Sequence, residues 1–184
     1  MPVLGSEVRV GANGTIYVAP GGTAVPANVT AAWTGFTDVG YVTEEGVTIG
    51  RALTTEQIRA WQSISAIRYL VTEVAFTVSF SLLQWNETTL PFWLGGGTVV
   101  NQGGGSFKYT ISSSPAIDER AFGVEWTDGA LKYRATIGRG MVIESGESSV
   151  TRSEGIALPI TFAAMAPASG TELAAILTDD TAMS

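Results

Sequence analysis

The sequence predicts a mainly β domain, a β-sandwich or partly open barrel, with one short α-helix. Three observations predict it. Short segments alternate large apolar residues with small or polar ones at the two-residue period of a pleated strand. Turn-forming residues separate them, with 22 Gly and 7 Pro among 184 residues. One stretch alone combines a helix cap, helical apolar spacing and a glycine stop.

Taken in order, TIYVA (15–19) reads as a brief strand followed by a PGG loop. Residues 33–50, WTGFTDVGYVTEEGVTIG, carry Gly35, Gly40, Gly46 and Gly50 and read as loops and turns between very short extended pieces. TTEQIRAWQS is ambiguous: Thr54 with Gln57 fits a capping box, yet the same residues can run extended. VAFTVSFSL is the clearest strand. It places Val74, Phe76, Val78, Phe80 and Leu82 on one face and Ala75, Thr77, Ser79 and Ser81 on the other. NETTLPFWLGGG (86–97) predicts the helix, with Leu90, Trp93 and Leu94 at helical spacing and Gly95 as the stop. Pro91 belongs in the first turn, so Thr88 or Thr89 is the expected cap. The glycine-rich stretch 95–106 reads as a loop, and no Lys follows its glycines as a phosphate-binding loop requires.

ERAFGVEWTDGALKYRATIG is the best hairpin, with Phe122, Val124 and Trp126 facing the same way as Leu131, Tyr133, Ala135 and Ile137. Asp128-Gly129 supplies its turn. MVIE, a polar turn and EGIALPITFAAMA follow, the last putting Ile156, Leu158, Ile160, Phe162 and Ala164 on one face. Pro159 has no N–H to donate, so the strand lies at a sheet edge or is paired on one side only around it. Residues 171–180 fit either a last strand or a helical turn.

Composition limits the chemistry. The chain, of a size for one domain over 1–184, has no Cys and no His. Disulfides, thiolate nucleophiles, cysteine metal sites and imidazole triads are therefore excluded. The acidic doublets Glu44-Glu45, Asp118-Glu119 and Asp179-Asp180 sit on adjacent residues, which point to opposite faces of a strand and make no catalytic pair. No enzyme, cofactor or metal is expected. With 10 basic and 17 acidic residues the net charge is −7, which repels a phosphate backbone. The N-terminus lacks the layout of a secretory signal, and no run of about 18 apolar residues exists to span a bilayer, so no membrane insertion is expected. Charged residues make up only 15% of the chain, which points to contact surface in an assembly or to a neutral, hydroxyl-rich exterior.

The ordered series GTIYVAPGGTAVP, WTGFTDVGYVTEEGVTIG, AWQ, IRYLVTEVAFTVSFSLLQWNETTLPFWLGG and DGALKYRATIGRGMVIESGESSVTRSEGIALPITFAAMA resembles the major tail tube protein of long-tailed bacteriophages, particularly those of actinobacteria. The resemblance covers nearly the whole chain. It implies a fold of the tail tube type, six copies per ring, and rings stacked into a hollow tube that conducts DNA during ejection. It also implies a virion tail assembled in the host bacterial cytoplasm, with the tape-measure protein, distal tail or baseplate proteins and a tail terminator as partners, and passing DNA not specifically bound. By position, residues 36–60 match an inter-ring stacking loop, with Trp33, Phe36, Asp38, Tyr41, Glu44 and Glu45 as its candidate residues. Thr77, Ser79 and Ser81 are candidates for the inner wall. The alternative is a carbohydrate-binding sandwich using Trp33, Trp61 and Trp85 as sugar-stacking platforms.

Overall fold

A computed structural model describes residues 7–183. In chain order the elements are β1 (Asn13–Pro20), β2 (Thr37–Asp38), β3 (Val42–Ile58), β4 (Arg68–Leu82), α1 (Thr89–Trp93), β5 (Val99–Gly103), β6 (Ser106–Tyr109), β7 (Arg120–Asp128), β8 (Leu131–Ser145), β9 (Leu158–Ala164) and β10 (Ala175–Thr178). A single turn of 3-10 helix, Thr181–Met183, follows. The main sheet runs β2-β1-β7-β8-β9-β4-β3, with β10 added on β8, and all its pairings are antiparallel.

The sheet is curled. Phe80 on β4 and Phe122 on β7 are three strand steps apart, about 14 Å in a flat sheet, yet their ring centroids lie 5.5 Å apart. The concave face closes over Ile16, Val18, Val78, Leu82, Val124, Ile137, Leu158, Ile160 and Phe162. The alternation expected of 74–82 and 156–164 therefore decides which face is inside. Helix α1 covers one mouth of this core through Phe92, whose ring stands 6.1 Å from that of Phe162. The buried helix residues are Thr89, Pro91 and Phe92, whereas Leu90, Trp93 and Leu94 are only partly covered. Its first turn is capped from outside: Asn86 Oδ1 accepts from the backbone N–H of Thr88 and Thr89, while Thr88 makes no side-chain cap bond.

Two stretches expected as loops are strands. Residues 42–58 form one 17-residue strand paired with β4, interrupted by irregularities between Val42 and Val47 and between Thr54 and Thr55. Residues 99–106 of the glycine-rich stretch belong to the β5–β6 hairpin, whose two turn residues, Gly104 and Gly105, both take positive φ, as the favoured two-residue hairpin turn demands. In the β7–β8 hairpin Asp128 pairs with Leu131, so the turn is Gly129-Ala130, with positive φ at Gly129 alone. The ambiguous residues 171–180 supply β10, a strand.

Strand β9 lies between β4 and β8 rather than at an edge. Its ladder with β8 ends at Ile160, opposite Ser145, and beyond it Pro159 O accepts from Gly146 N at 2.9 Å. In an antiparallel pair the N–H and C=O of one residue point to the same neighbour. The N–H that Pro159 lacks would thus have faced Gly146, and pairing with Ser81 of β4 is undisturbed.

Candidate functional site: an open sheet with a protruding arm

Strands β3, β4 and β9 and the second half of β8 form a four-stranded patch of the main sheet. Its convex face is built from small side chains. Cross-strand pairing puts Thr48, Gly50 and Ala52 of β3 beside Ser79, Thr77 and Ala75 of β4, which in turn meet Thr161 and Ala163 of β9. Ser79 and Thr161 share a hydroxyl–hydroxyl hydrogen bond of 3.3 Å. Thr77, Ser79 and Ser81, the expected wall residues, thus lie together in the middle of a smooth, hydroxyl-rich surface. Glu144 pairs with Thr161 and Glu73 with Thr54, which adds carboxylates to this face; Glu45 lines the shallow cleft at its rim. Within Thr48–Thr54, Glu73–Ser81, Pro159–Ala163 and Met141–Glu144 the face carries acidic groups and no basic side chain except Arg51, whose partner Phe76 puts it on the core side.

Both sides of this patch end in unpaired backbone. Strand β3 is the end of the sheet order, and β8 from Met141 to Ser145 is paired only on its β9 side. Among the described residues no strand closes either edge.

Beyond Thr77 strand β9 no longer accompanies β4, so residues 51–58 and 68–76 project as a two-stranded arm with the turn 59–67 at its tip. Apolar residues on the arm are bare: Leu53, Ile58, Tyr69, Leu70, Val71 and Val74 are exposed, and Trp61 and Ile64 at the tip are 100% and 102% exposed. Together they present on the order of 1,000 Å², above the few hundred Å² typical of a monomer's largest apolar patch. A two-stranded ribbon is marginal by itself. The sequence reading missed the arm tip; its signal was an apolar series, Trp61, Ile64 and Ile67, flanked by Arg59 and Arg68 with no core-forming periodicity.

The six residues expected to form one stacking loop separate into two places. Trp33 and Phe36 pack against the chain's own sheet. Trp33 stacks on Tyr17 at 4.6 Å, meets Phe36 edge-on at 5.1 Å, and donates from Nε1 to Glu125 Oε2 at 3.1 Å. Arg134, almost fully buried, fastens the same segment: it lies 5.1 Å over the Trp33 ring, pairs with Glu125 at 2.6 Å and donates to the carbonyls of Asn28 and Ala31. This packing occupies the Trp33 face that a sugar platform would need. Desolvation by the same packing, followed by the nearby Glu125 carboxylate, raises the pKa of the Tyr17 phenol. Asp38 is exposed on β2, and Tyr41, Glu44 and Glu45 are exposed around the start of β3, the opposite end from the arm tip. Asp38 Oδ1 accepts from Gly40 N at 2.7 Å.

A second polar cluster ties the chain ends to the body. Asp180, buried, accepts from Arg9 Nε and the Tyr133 hydroxyl, each at 2.6 Å, and Tyr133 stacks on Trp126. The Arg9 guanidinium, then the Tyr133 hydroxyl and the Ala182 N–H, hold the Asp180 carboxyl well below the usual carboxylate range. Among the described residues no group of three or more metal-ligating side chains converges, and no helix is long and apolar enough to cross a membrane.

The geometry is that of a mainly β protein with two unpaired sheet edges and an uncovered apolar arm. The chain belongs to the phage tail tube protein family, whose model matches residues 1–184. It is accordingly a structural component of a virion tail and not an enzyme. No curated protein matches it. It is similar to a chain in the cryo-EM structure of the anti-feeding prophage (AFP) baseplate, 6-fold symmetrised, at TM-score 0.45 and 9% identity, over 96% of this chain and 97% of that chain.

Proposed function

We propose that six copies of this chain close into a ring by pairing the free β3 edge of one with the free β8 edge of the next, and that rings stack into the tube through which a long-tailed phage ejects its DNA. The observation that carries this reading is the pair of open edges on opposite sides of one four-stranded antiparallel patch. An even number of antiparallel strands per copy makes β8 of one copy and β3 of the next run in opposite directions, so the ladder continues antiparallel around the ring. Closure removes edges that would otherwise recruit unrelated chains.

The dimensions support the reading. Six copies of four strands give roughly 24 strands, and at about 4.8 Å spacing with a tilt between 0 and about 40° the backbone barrel is about 37–48 Å across. Small lining side chains take about 10 Å of that, leaving clearance for a DNA duplex about 20 Å wide. The face of Thr48, Thr77, Ser79, Ser81 and Thr161 becomes the wall, with Glu73 and Glu144 as its charges. Such a wall offers phosphates no cation to bind, and carboxylates repel them within a Debye length of about 8 Å at physiological salt. The tape-measure protein, the distal tail or baseplate and the tail terminator are the remaining partners this role requires.

Electron microscopy of concentrated protein tests the proposal. Six-fold rings and hollow stacks are expected, and Ser145→Pro, at an exposed position whose N–H faces away from β9 because the next residue, Gly146, bonds Pro159, abolishes rings. Rings that persist in Ser145→Pro refute closure at this edge.

A further inference from the structure

Trp85 is not engaged by the fold as Trp33 is. It is 54% exposed and opens onto a pocket of about 340 Å³ between the approach to α1 and the β5–β6 hairpin. Leu90 on the helix lines that pocket, whereas Phe92, two residues or about 200° further round the helix, enters the core. The pocket therefore lies on the side of α1 turned away from the core. No residue of the four-stranded patch lines it, so it stands apart from the ring proposal.

Pairing across the hairpin sorts its side chains. Val99 opposite Tyr109 and Asn101 opposite Phe107 share one face, while Val100 and Lys108 share the other. The first face supplies Val99, Phe107 and Tyr109 to the pocket, and the Lys108 ammonium is carried on the opposite face. Three aromatic side chains thus converge, Trp85, Tyr109 and the 65% exposed Phe107. Among the described residues neither Phe107 nor Tyr109 stacks on another ring, and Trp85 meets only Trp93, tilted by 54° at 6.3 Å. Tyr109 is fixed in place. Its hydroxyl donates to Gly96 O at 2.5 Å, and Gly97 backs the ring so closely that a Cβ there would stand 3.1 Å from it.

The polar groups of the pocket are few. Asn86 Oδ1 already accepts from the N–H of Thr88 and Thr89, which leaves the Asn86 amide N–H groups and the Glu87 carboxylate. Glu87 is exposed and has no ion-pair partner among the described residues, and no basic residue lines the pocket. A sugar ring, with hydroxyls on every side, needs more partners than these. A cation with no N–H to donate needs none: the faces of aromatic rings attract it through their quadrupole, and a carboxylate balances its charge. The net charge of −7 adds a field of the same sense.

We propose that this pocket is an aromatic cage for a methylated ammonium group such as that of choline, with Trp85, Phe107 and Tyr109 as its walls and Glu87 as the counter-ion. The site is a binding function additional to assembly, carried by the helix and the hairpin rather than by the main sheet.

Saturation-transfer difference NMR with choline chloride reads weak binding to free chains and to assembled tubes alike. The N-methyl signal is expected to saturate with a dissociation constant on the order of 1 mM, with tetramethylammonium competing. The neutral tert-butyl analogue of choline, which has the same shape without the charge, should bind at least about tenfold more weakly. Trp85→Leu and Phe107→Leu should each weaken choline about fivefold. Glu87→Lys changes only an exposed, unpaired side chain and should abolish binding with the thermal midpoint retained. Equal binding of the neutral analogue reduces the pocket to an apolar cleft and overturns the proposal, as does choline binding that survives both ring substitutions. Wild-type protein that gives no choline signal overturns it too, and a signal from glucose or N-acetylglucosamine instead makes the pocket a saccharide site. None of these outcomes bears on ring closure.

Discussion

Replacing Arg134 with Met should detach the segment 21–36 from the outer face of β1, β7 and β8. In the native fold Arg134 donates to Asn28 O at 2.8 Å and Ala31 O at 2.7 Å, pairs with Glu125 at 2.6 Å, and supports the Trp33 ring from 5.1 Å. Hydrogen bonds from a charged donor contribute about 1.5–3 kcal/mol each, and the cation–π contact about 0.5–1 kcal/mol. Methionine keeps much of the apolar stem packing, and the partly exposed Glu125 recovers hydration, so the net loss is about 3–4 kcal/mol. At about 2–4 °C per kcal/mol for a chain of this length, the thermal midpoint should fall roughly 6–16 °C. The assay is thermal unfolding by circular dichroism at a concentration that keeps the protein monomeric, with acrylamide quenching of tryptophan emission to report release of Trp33. Arg134→Lys should recover less than half of the loss, because an ammonium cannot serve two carbonyls and a carboxylate in one plane. A midpoint within about 3 °C of wild type, or full rescue by Lys, would refute the assignment of Arg134 as the fastener.

Gly123→Ala should act on the same layer from the other side: a Cβ there would stand 2.1 Å from the Trp33 ring, so the ring must move, and the emission maximum should shift to the red with a loss of about 2 kcal/mol or more. Phe162→Ala removes a ring stacked 4.8 Å from Phe122 at the centre of the core and should cost about 3–5 kcal/mol in chemical denaturation. Asp180 has a folded-state pKa depressed below its unfolded value, so its contribution is complete above the unfolded carboxylate value of about 3.9 and is lost as pH falls through and below it. The stability gap between wild type and Asp180→Asn should therefore be constant near neutrality and narrow below about pH 4, read from urea midpoints across that range.

Legibility in the sequence follows the range of the interactions. The faces of 74–82 and 156–164 were readable because a sheet with one covered side imposes period two on its own residues. The cost of Pro159 was readable too, since a missing N–H is a property of the residue itself. Strand β3 was not, because residues 51–58 are exposed on both faces and follow no burial pattern; their strand is held by pairing with β4, which only the register discloses. The packing of Trp33 was hidden for a related reason: its site is made by Gly123 and Arg134, about a hundred residues away, and nothing near Trp33 announces them. The β5–β6 hairpin could have been found. Its Gly-Gly turn stands between Val99-Val100 and Phe107-Lys108-Tyr109, a pattern that reads as a hairpin when the glycines are counted as a two-residue turn rather than as slack.

Three surfaces of this sheet correspond to three demands of the proposed tube. The arm exposes Trp61, Ile64, Tyr69 and Val71 among others: if its exposed apolar residues are covered by another copy, roughly 1,000 Å² is buried on that side alone, which with the matching surface reaches the upper end of standard protein interfaces, about 2,000 Å². The free edges, β3 and Met141–Ser145 of β8, carry neither lysine nor proline, the residues with which monomers defend an edge against pairing. The convex face is neutral or acidic and small, which suits the proposed passage of a polyanion. Each condition alone is compatible with a monomer. All three on one sheet, a free edge on either side, an apolar arm and a smooth small-residue face, are what the proposed closed and extensible tube requires.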